Sequence, residues 1–341
     1  MPFETFPAAR LRRLRTNQWI RTLIAENRLA VSDLVMPLFV CQNLPDVTLS
    51  SKKTPSPLPF SPLSVDALPA FVEEKILAAG LTSVALFPVI AQENKDEQGR
   101  HALCEDNVLV KAIQCVKERF PTLGVISDIA LDPYTTHGHD GVIQNDDVDN
   151  DATIKILADM AVLHAQAGAD VLGVSDMMDG RIHALRQGLE EKGYVQTKIL
   201  SYVAKYASCL YGPFRDIVAT AAAKDPGGLC KKTYQMDICN QKEALREALL
   251  DIQEGADLLM VKPGGGYLDI VSLLKQKTHH PLCVFQVSGE YAMLRAADAQ
   301  GWVSYKDGLL ESLMGFKRAG ASVIFTYGAL DAARWLKEVD R

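Results

Sequence analysis

Eight short runs rich in Val, Ile, Leu and Phe recur along this 341-residue chain, and helical patterns fill the intervals between them. The runs are 33–40, 82–89, 124–130, 170–175, 198–203, 257–262, 282–288 and 322–327. Strands that alternate with helices predict βα units and a parallel sheet. The connections are lopsided. Helical stretches end at Gly80, Gly168, Gly255 and Gly320, and the chain turns at once into the next strand. Glycine reaches the left-handed conformation that closes a helix without a Cβ clash, so these are tight αβ turns. The segments that leave the strands are long: a Pro/Ser-rich stretch at 44–64, a charged loop at 92–105, 131–150, and the longest at about 206–240. The last carries Gly227-Gly228 and unpatterned polarity, which predict a flap over a site. Tight turns at one end and long loops at the other describe an α/β fold, a (β/α)8 TIM barrel with its active face at the strand C-termini. An open doubly wound sheet would place a glycine-rich phosphate loop near the first strand, and none is there.

Composition narrows the function. Hydrophobic residues make up 48% of the chain, enough for a large core and too many for a disordered tail. With 36 basic against 42 acidic side chains the net charge is −6, which argues against nucleic acid or an anionic membrane as a partner. The longest apolar stretch, Leu81 to Ala91, already holds Thr82 and Ser83 and falls short of the ~18 residues of a span. Arg10, Arg12, Arg13 and Arg15 precede a mixed segment without an apolar core, unlike a secretory signal. Residues 1–32 are too basic and too poorly patterned for a domain and are expected to form an N-terminal arm that packs on a neighbouring subunit, with the barrel at 33–341. Seven cysteines without a CxxC pair fit free thiols in a reducing, cytoplasmic setting.

Polar residues that finish apolar strands point into the mouth of a barrel. Here they are Asp128, Ser175 with Asp176, Lys205, Lys262, Ser288 and Tyr327, from six strands. Lys262 completes Leu258-Leu259-Met260-Val261. Desolvation there would lower its ammonium pKa toward neutrality and free an amine to attack a carbonyl; the alternative is a lysine that snorkels to the rim or pairs with an acid. Lys205 ends the preceding strand, and two converging cations depress each other's pKa, which favours the amine reading. Asp128, Asp132 and Asp140 share a strand end and loop with His137 and His139. That cluster suits either a divalent metal or turn caps. Arg215 and the pair Lys231 and Lys232 lie in the flap, where cations either capture carboxylate or phosphate or are simply solvated. No GxGxxG, Cys/His zinc spacing or GxSxG elbow occurs.

Taken in order, RLRRLR, MPLFV, DPYTTHGHDG, SDMMDGR, AKYAS, YGPFRD, KTYQMD, MVKPGGGYLD, QVSGEYAM and ALDAARWL closely resemble the porphobilinogen synthase family, the 5-aminolevulinate dehydratases, over nearly the whole chain. The resemblance implies a hydro-lyase barrel that condenses two 5-aminolevulinate molecules into porphobilinogen with loss of two waters, in tetrapyrrole (heme) biosynthesis. It implies Lys262 as the Schiff-base lysine for the first substrate and Lys205 for the second. Ser288 and Tyr327 match groups that hold the first carboxylate; Arg215, Gln235 and Lys231 match those that hold the second. Asp128 and Ser175 match polar groups at the reacting centre, with proton handling and orientation both open. The family's homo-octamers, built from dimers whose arms embrace neighbouring barrels, imply the same assembly here.

Departures from the family pattern refine this. Zinc-dependent members have three cysteines where this chain has Ala130, Asp132 and Asp140, and carboxylates do not select zinc as thiolates do, so no catalytic zinc is expected. The resemblance to zinc-free members gives Asp132 and Asp140 the second substrate's amino group. Glu247 matches the glutamate that holds an allosteric Mg²⁺ through water, its alternative being an ordinary exposed helix residue. No organic cofactor is implied. Gly266, Leu210, Phe285 and Gly328 replace the family's usual proline, aromatic, tyrosine and bulkier residue. A class I aldolase-like barrel lyase and a non-catalytic oligomeric scaffold are the competing functions; the first needs one imine lysine, and the second has no use for two.

Overall fold

The computed structural model describes residues 5–42, 58–218 and 229–339. All eight predicted runs are strands: β1 Leu34–Cys41, β2 Ser83–Val89, β3 Gly124–Ile129, β4 Val171–Val174, β5 Lys198–Lys205, β6 Leu258–Lys262, β7 Leu282–Gln286 and β8 Val323–Thr326. Nearly every strand residue is buried, as parallel strands covered on both faces require. Each strand pairs in parallel with the next in sequence. The β8 strand returns to β1 through Leu34↔Ile324 and Val35↔Phe325, closing a (β/α)8 barrel.

The turns are as the glycines predict. Gly80, Gly168, Gly255 and Gly320 have φ of +78°, +103°, +106° and +122°, values that a side chain would strain. Polar caps start the helices: the Asn107 side chain accepts from the N–H groups of Leu109 and Val110, and Asp149 from Ala152. Such caps contribute about 1 kcal/mol each.

Aromatic rings fill the barrel below its mouth. Phe87 of β2 touches Phe285 of β7 at 6.1 Å between centroids, and these strands are not neighbours, so the rings lie inside. Phe39 and Phe325 extend the cluster. Truncating one such ring to alanine costs about 3–5 kcal/mol.

Two strand ends differ from the predicted bounds by two residues, the others by one at most. The β5 strand continues to Lys205, so that lysine is itself the last paired residue. The β7 strand stops at Gln286, and Ser288 opens a helix, Ser288–Ala299, instead of finishing a strand. The cause is Glu290, whose carboxylate accepts the Val287 N–H at 2.8 Å and caps the new helix.

At the mouth, the loop after β3 forms a hairpin, Ile143–Gln144 with Asp147–Val148, turning at Asn145 and Asp146 with φ of 52° and 61°. The predicted flap is described at its two stems: Cys209–Tyr211 and the helix Gly212–Val218 on one side, Lys231–Thr233 on the other. Gly227-Gly228 lies outside the described residues, as does most of the Pro/Ser-rich stretch. Ahead of the barrel, the turn Leu11–Arg15 and the helix Gln18–Leu23 have no buried side chain.

Candidate active site

Lys205 and Lys262 end adjacent strands and are register partners, so the barrel itself holds the two amines side by side. Both are buried, 6% exposed each. Their surroundings differ. The Lys262 ammonium faces rings: its Nζ lies 4.6 Å from the Phe285 centroid, 5.2 Å from Tyr202, 5.4 Å from Phe214 and 5.6 Å from Tyr211. It has no ion pair among the described residues. Burial and then the charge of Lys205 push its pKa down to about 7, against the pull of Asp128, Asp132 and Asp140. The aromatic faces favour the ammonium by about 0.5–1 kcal/mol each where exposed, more when dry, and oppose the same shift. A large share of free amine at neutral pH follows from the balance.

Lys205 instead sits among carboxylates. Its Nζ donates to Asp140 Oδ2 at 2.9 Å and to the Ser175 carbonyl. The other oxygen of Asp140 accepts from Lys231 at 2.7 Å, and Lys231 also reaches Asp132 at 3.2 Å. Burial alone would raise the Asp140 carboxyl and lower the Lys231 ammonium; the paired charges reverse both, holding Asp140 below the usual carboxylate range and Lys231 above the usual lysine. Asp140 therefore bridges the strand lysine and the flap lysine. Tyr234 supports it, its hydroxyl accepting the Asp140 N–H at 3.2 Å and pairing with His139 Nδ1 at 3.1 Å.

Asp128 lines the same cavity as both lysines. Burial and then Asp132 push its pKa up to about 7, against a hydrogen bond from Ser175 and the charges of Lys262 and Lys205. One of its oxygens, Oδ1, is buried without a protein partner. A carboxyl that titrates near neutrality beside two amines can pass protons between them.

Asp128, Asp132, Ser175, Lys205, Arg215, Lys231, Gln235 and Lys262, all predicted site residues, line one cavity with Phe87, Tyr211 and Phe214. It is narrow, with about 20 Å³ open to a water-sized sphere, and adjoins a broader groove of about 660 Å³ between the flap stems. Gln235 is buried with its Oε1 unpartnered. Arg215 has no ion pair among the described residues and lies over the Tyr211 ring at 5.7 Å.

Ser288 and Tyr327 are placed otherwise. The Ser288 hydroxyl accepts the Phe214 N–H at 3.0 Å, so the flap stem covers it. Tyr327 stacks on Phe39 at 6.2 Å and lines a second small cavity with Leu58 and Phe60. Neither residue lines the lysine cavity. Glu247 lies on the outer helix Lys242–Glu254, its Oε1 accepting from the buried Arg181 at 3.0 Å. Arg181 also holds Asp251 at 3.2 Å and lies 3.8 Å from Asp176, the neighbour of Ser175.

Several residues near the chemistry carry no signal in strand-end reasoning. The rings around Lys262, the Tyr234–His139 pair, and Lys95 are among them; Lys95 is buried and donates to the Val218 carbonyl of the flap stem at 3.1 Å. The aromatic content of YGPFRD and KTYQMD points to Tyr211, Phe214 and Tyr234; Tyr202 lies inside an apolar strand, and Phe285 enters only as a departure from the family pattern. Of the departures, Phe285 supplies the ring nearest Lys262, and Gly328 is explained by Leu309, which would lie 2.5 Å from a Cβ there. A Cβ at Gly266 would meet nothing, so nothing in the packing explains that glycine.

A (β/α)8 barrel with two buried lysines in register at its mouth, one amine titrating near neutrality, defines an enzyme class equipped for imine chemistry. The delta-aminolevulinic acid dehydratase family model matches residues 8–335. The chain belongs to that family. It is 43% identical over 330 residues to the delta-aminolevulinic acid dehydratase of Bradyrhizobium diazoefficiens, covering 97% of this chain and 91% of that one. The Halalkalibacterium halodurans enzyme of the same name is 45% identical over 329 residues, covering 96% and 97%. Among solved structures, the Toxoplasma gondii delta-aminolevulinic acid dehydratase (porphobilinogen synthase), in complex with the product porphobilinogen, superposes with a TM-score of 0.90 at 43% identity, covering 99% of this chain and 93% of that one.

Proposed function

We infer that this chain is a porphobilinogen synthase, a hydro-lyase that joins two 5-aminolevulinate molecules with loss of two waters for heme biosynthesis. The observation that carries the residue roles is the register pairing of Lys205 with Lys262. Each amine condenses with a ketone and releases one water, which accounts for both. A protonated imine acidifies the neighbouring carbon and makes its own carbon electrophilic. One substrate, as the enamine, forms the new C–C bond at the other's imine carbon; the lysine on that carbon then leaves by elimination with a proton from the attacking carbon, and the ring-closing amino group displaces the other lysine, so both lysines return as amines. Asp128, whose pKa is raised to about 7 in the same cavity, moves the protons.

Lys262 takes the first substrate among aromatic rings, with Ser288 and Tyr327 holding its carboxylate. Lys205 takes the second. Asp132 and Asp140 hold its ammonium, a role supported by the Lys231 ammonium lying between them, and Arg215, Gln235 and Lys231 hold its carboxylate. Incubation with 5-aminolevulinate and borohydride, followed by mass spectrometry, tests the reading: a substrate adduct on Lys262 is expected, and its absence from active protein overturns it.

The donor set does not suit a catalytic zinc. Ala130 offers no ligand atom, and Asp132 and Asp140 already hold lysines. A zinc-selective chelator is expected to leave activity intact. For Mg²⁺ the fit is partial: Arg181 takes one oxygen of Glu247, leaving the other for a hydrated ion held through water. Such an ion would supply charge at an outer helix and no chemistry at the reacting carbons. Porphobilinogen formation with and without Mg²⁺ tests it.

Phe6, Leu11, Trp19 and Leu23 of the arm are 73%, 68%, 66% and 70% exposed, apolar surface that a neighbouring barrel would cover. A homo-octamer built from dimers is the assembly this supports, read by light scattering. No helix among the described residues is long and apolar enough to cross a membrane, and the cysteines are free thiols, which supports a cytoplasmic setting.

A further inference from the structure

Glu290 touches no reacting group, yet it holds the backbone beside two of them. It is the third residue of the helix Ser288–Ala299. Its carboxylate accepts the Val287 N–H at 2.8 Å, the Gly264 N–H at 3.3 Å and the Gly265 N–H at 2.5 Å. Val287 immediately precedes Ser288, and Gly264 follows Lys262 by two residues. One side chain therefore joins the loop leaving β6 to the turn leaving β7. The side chain is 7% exposed and has no ion pair among the described residues. Three backbone donors, two of them on the neighbouring loop, offset the cost of burying a carboxylate. The fit is close: a Cβ at Gly265 would come within 2.7 Å of Glu290 Oε1, and one at Gly264 within 2.6 Å of Val284.

We propose that Glu290 is a positioning residue that fixes the span between Lys262 and Ser288, the imine end and the carboxylate end of the first-substrate site. The proposal rests on the roles given to Lys262 and Ser288 above. A helix cap needs only the Val287 contact; the two glycine contacts tie the cap to the lysine loop. Loss of that tie lets the amine and the hydroxyl drift independently, and a misplacement of about 1 Å costs on the order of 100-fold in rate.

Glu290→Gln keeps the shape but turns an NH2 group toward backbone donors, and Glu290→Asp keeps the charge with a shorter reach. The control is Ser304→Ala, which removes a helix cap that holds neither the Lys262 loop nor Ser288: the Ser304 hydroxyl accepts the Asp307 N–H at 3.3 Å within its own helix start. Each variant is assayed for kcat and KM, rate of borohydride trapping on Lys262, and urea midpoint. Glu290→Gln is expected to lower kcat/KM and the Lys262 trapping rate together, by about 100-fold. Glu290→Asp recovers part of both, and Ser304→Ala, though destabilised, keeps wild-type kinetics. Folded Glu290→Gln with kinetics close to wild type overturns the proposal, as does a loss that merely follows the unfolded fraction. If Glu290→Gln does not fold, Glu290→Asp decides: folded protein with wild-type trapping overturns it, and slowed trapping supports it. Failure of wild-type protein to form any Lys262 adduct would instead remove the catalytic reading beneath it.

Discussion

The two halves of this mouth hold the same functional group in opposite solvents. Around Lys262 there are four aromatic rings and no ion pair among the described residues; around Lys205 there are Asp140, a carbonyl, and beyond them Lys231 and Asp132. Burial beside a second cation releases a proton from the amine in the aromatic half, whereas a carboxylate network recruits and orients charged substrate groups. Two copies of one substrate can thus be treated differently without the protein recognising any difference between them.

The sharpest way to break the comparison is to remove each lysine in turn. Lys262→Met is expected to lower kcat by about 10⁵-fold or more, the scale seen when a nucleophile is deleted, and to abolish substrate trapping in the first half. Lys205→Met should also be inactive as a synthase yet still trap substrate on Lys262 with borohydride. Equal loss of trapping in both variants would show that the halves do not act separately.

Next is Asp140→Asn. Removing a fully buried partner leaves the Lys205 ammonium without a counter-charge and Lys231 with Asp132 alone, and breaking such a pair costs about 3–5 kcal/mol. Denaturant unfolding should show most of that loss. Activity should fall through the second substrate, with KM raised at the lower-affinity step, while Lys262 trapping in folded protein stays within a few-fold of wild type.

The eight strands, the tight αβ turns and the strand-end lysines were legible because each rests on a local rule: apolar runs, glycine at left-handed positions, a charge at the end of an apolar run. Lys205, Lys262, Asp128 and Ser175 could be named that way. Ser288 was assigned to a strand because its neighbours are apolar; only Glu290, three positions after Val287, reveals the helix. The rings around Lys262 come from three separated segments, and no spacing relates Tyr202, the pair Tyr211 and Phe214, and Phe285. Lys231 was read as a flap cation for anion capture or solvation, and its pairing with Asp132 and Asp140, which spans 99 and 91 positions, was not legible. Contacts of that range depend on chain closure and leave no periodic trace.

Asp128 couples the two halves, and its removal has a defined sign. Its charge favours the ammonium of Lys262, so Asp128→Asn should lower that pKa further and move the acid limb of the pH–rate profile, expected near 7 in the wild type, to lower pH. The pair titrates jointly, so the limb reports both groups. The kcat should fall by about 10²–10³ if Asp128 moves protons. Stability gives a second readout. A carboxyl raised to about 7 in the fold stabilises the protein below its unfolded pKa, and that contribution is lost as pH rises through 7. Asp128→Asn should therefore flatten the pH dependence of unfolding between about 4 and 7. An unshifted limb and an unchanged slope would place Asp128 outside the lysine circuit.

The smallest expected effect falls on the charged half alone. Tyr234→Phe removes the hydroxyl that accepts the Asp140 N–H and pairs with His139, without touching either lysine. One lost hydrogen bond of this kind costs about 1 kcal/mol. Because Tyr234 stands beside the flap turn that carries Lys231, the loss should loosen the docking of that stem onto Asp140. The KM for 5-aminolevulinate should rise by several-fold up to about tenfold, with kcat within a few-fold of wild type and the acid limb in place, since the surroundings of Lys262 are unchanged. The opposite pattern, a shifted limb with KM constant, would mean that the charged network also sets the amine in the aromatic half, and the division between the halves would be lost.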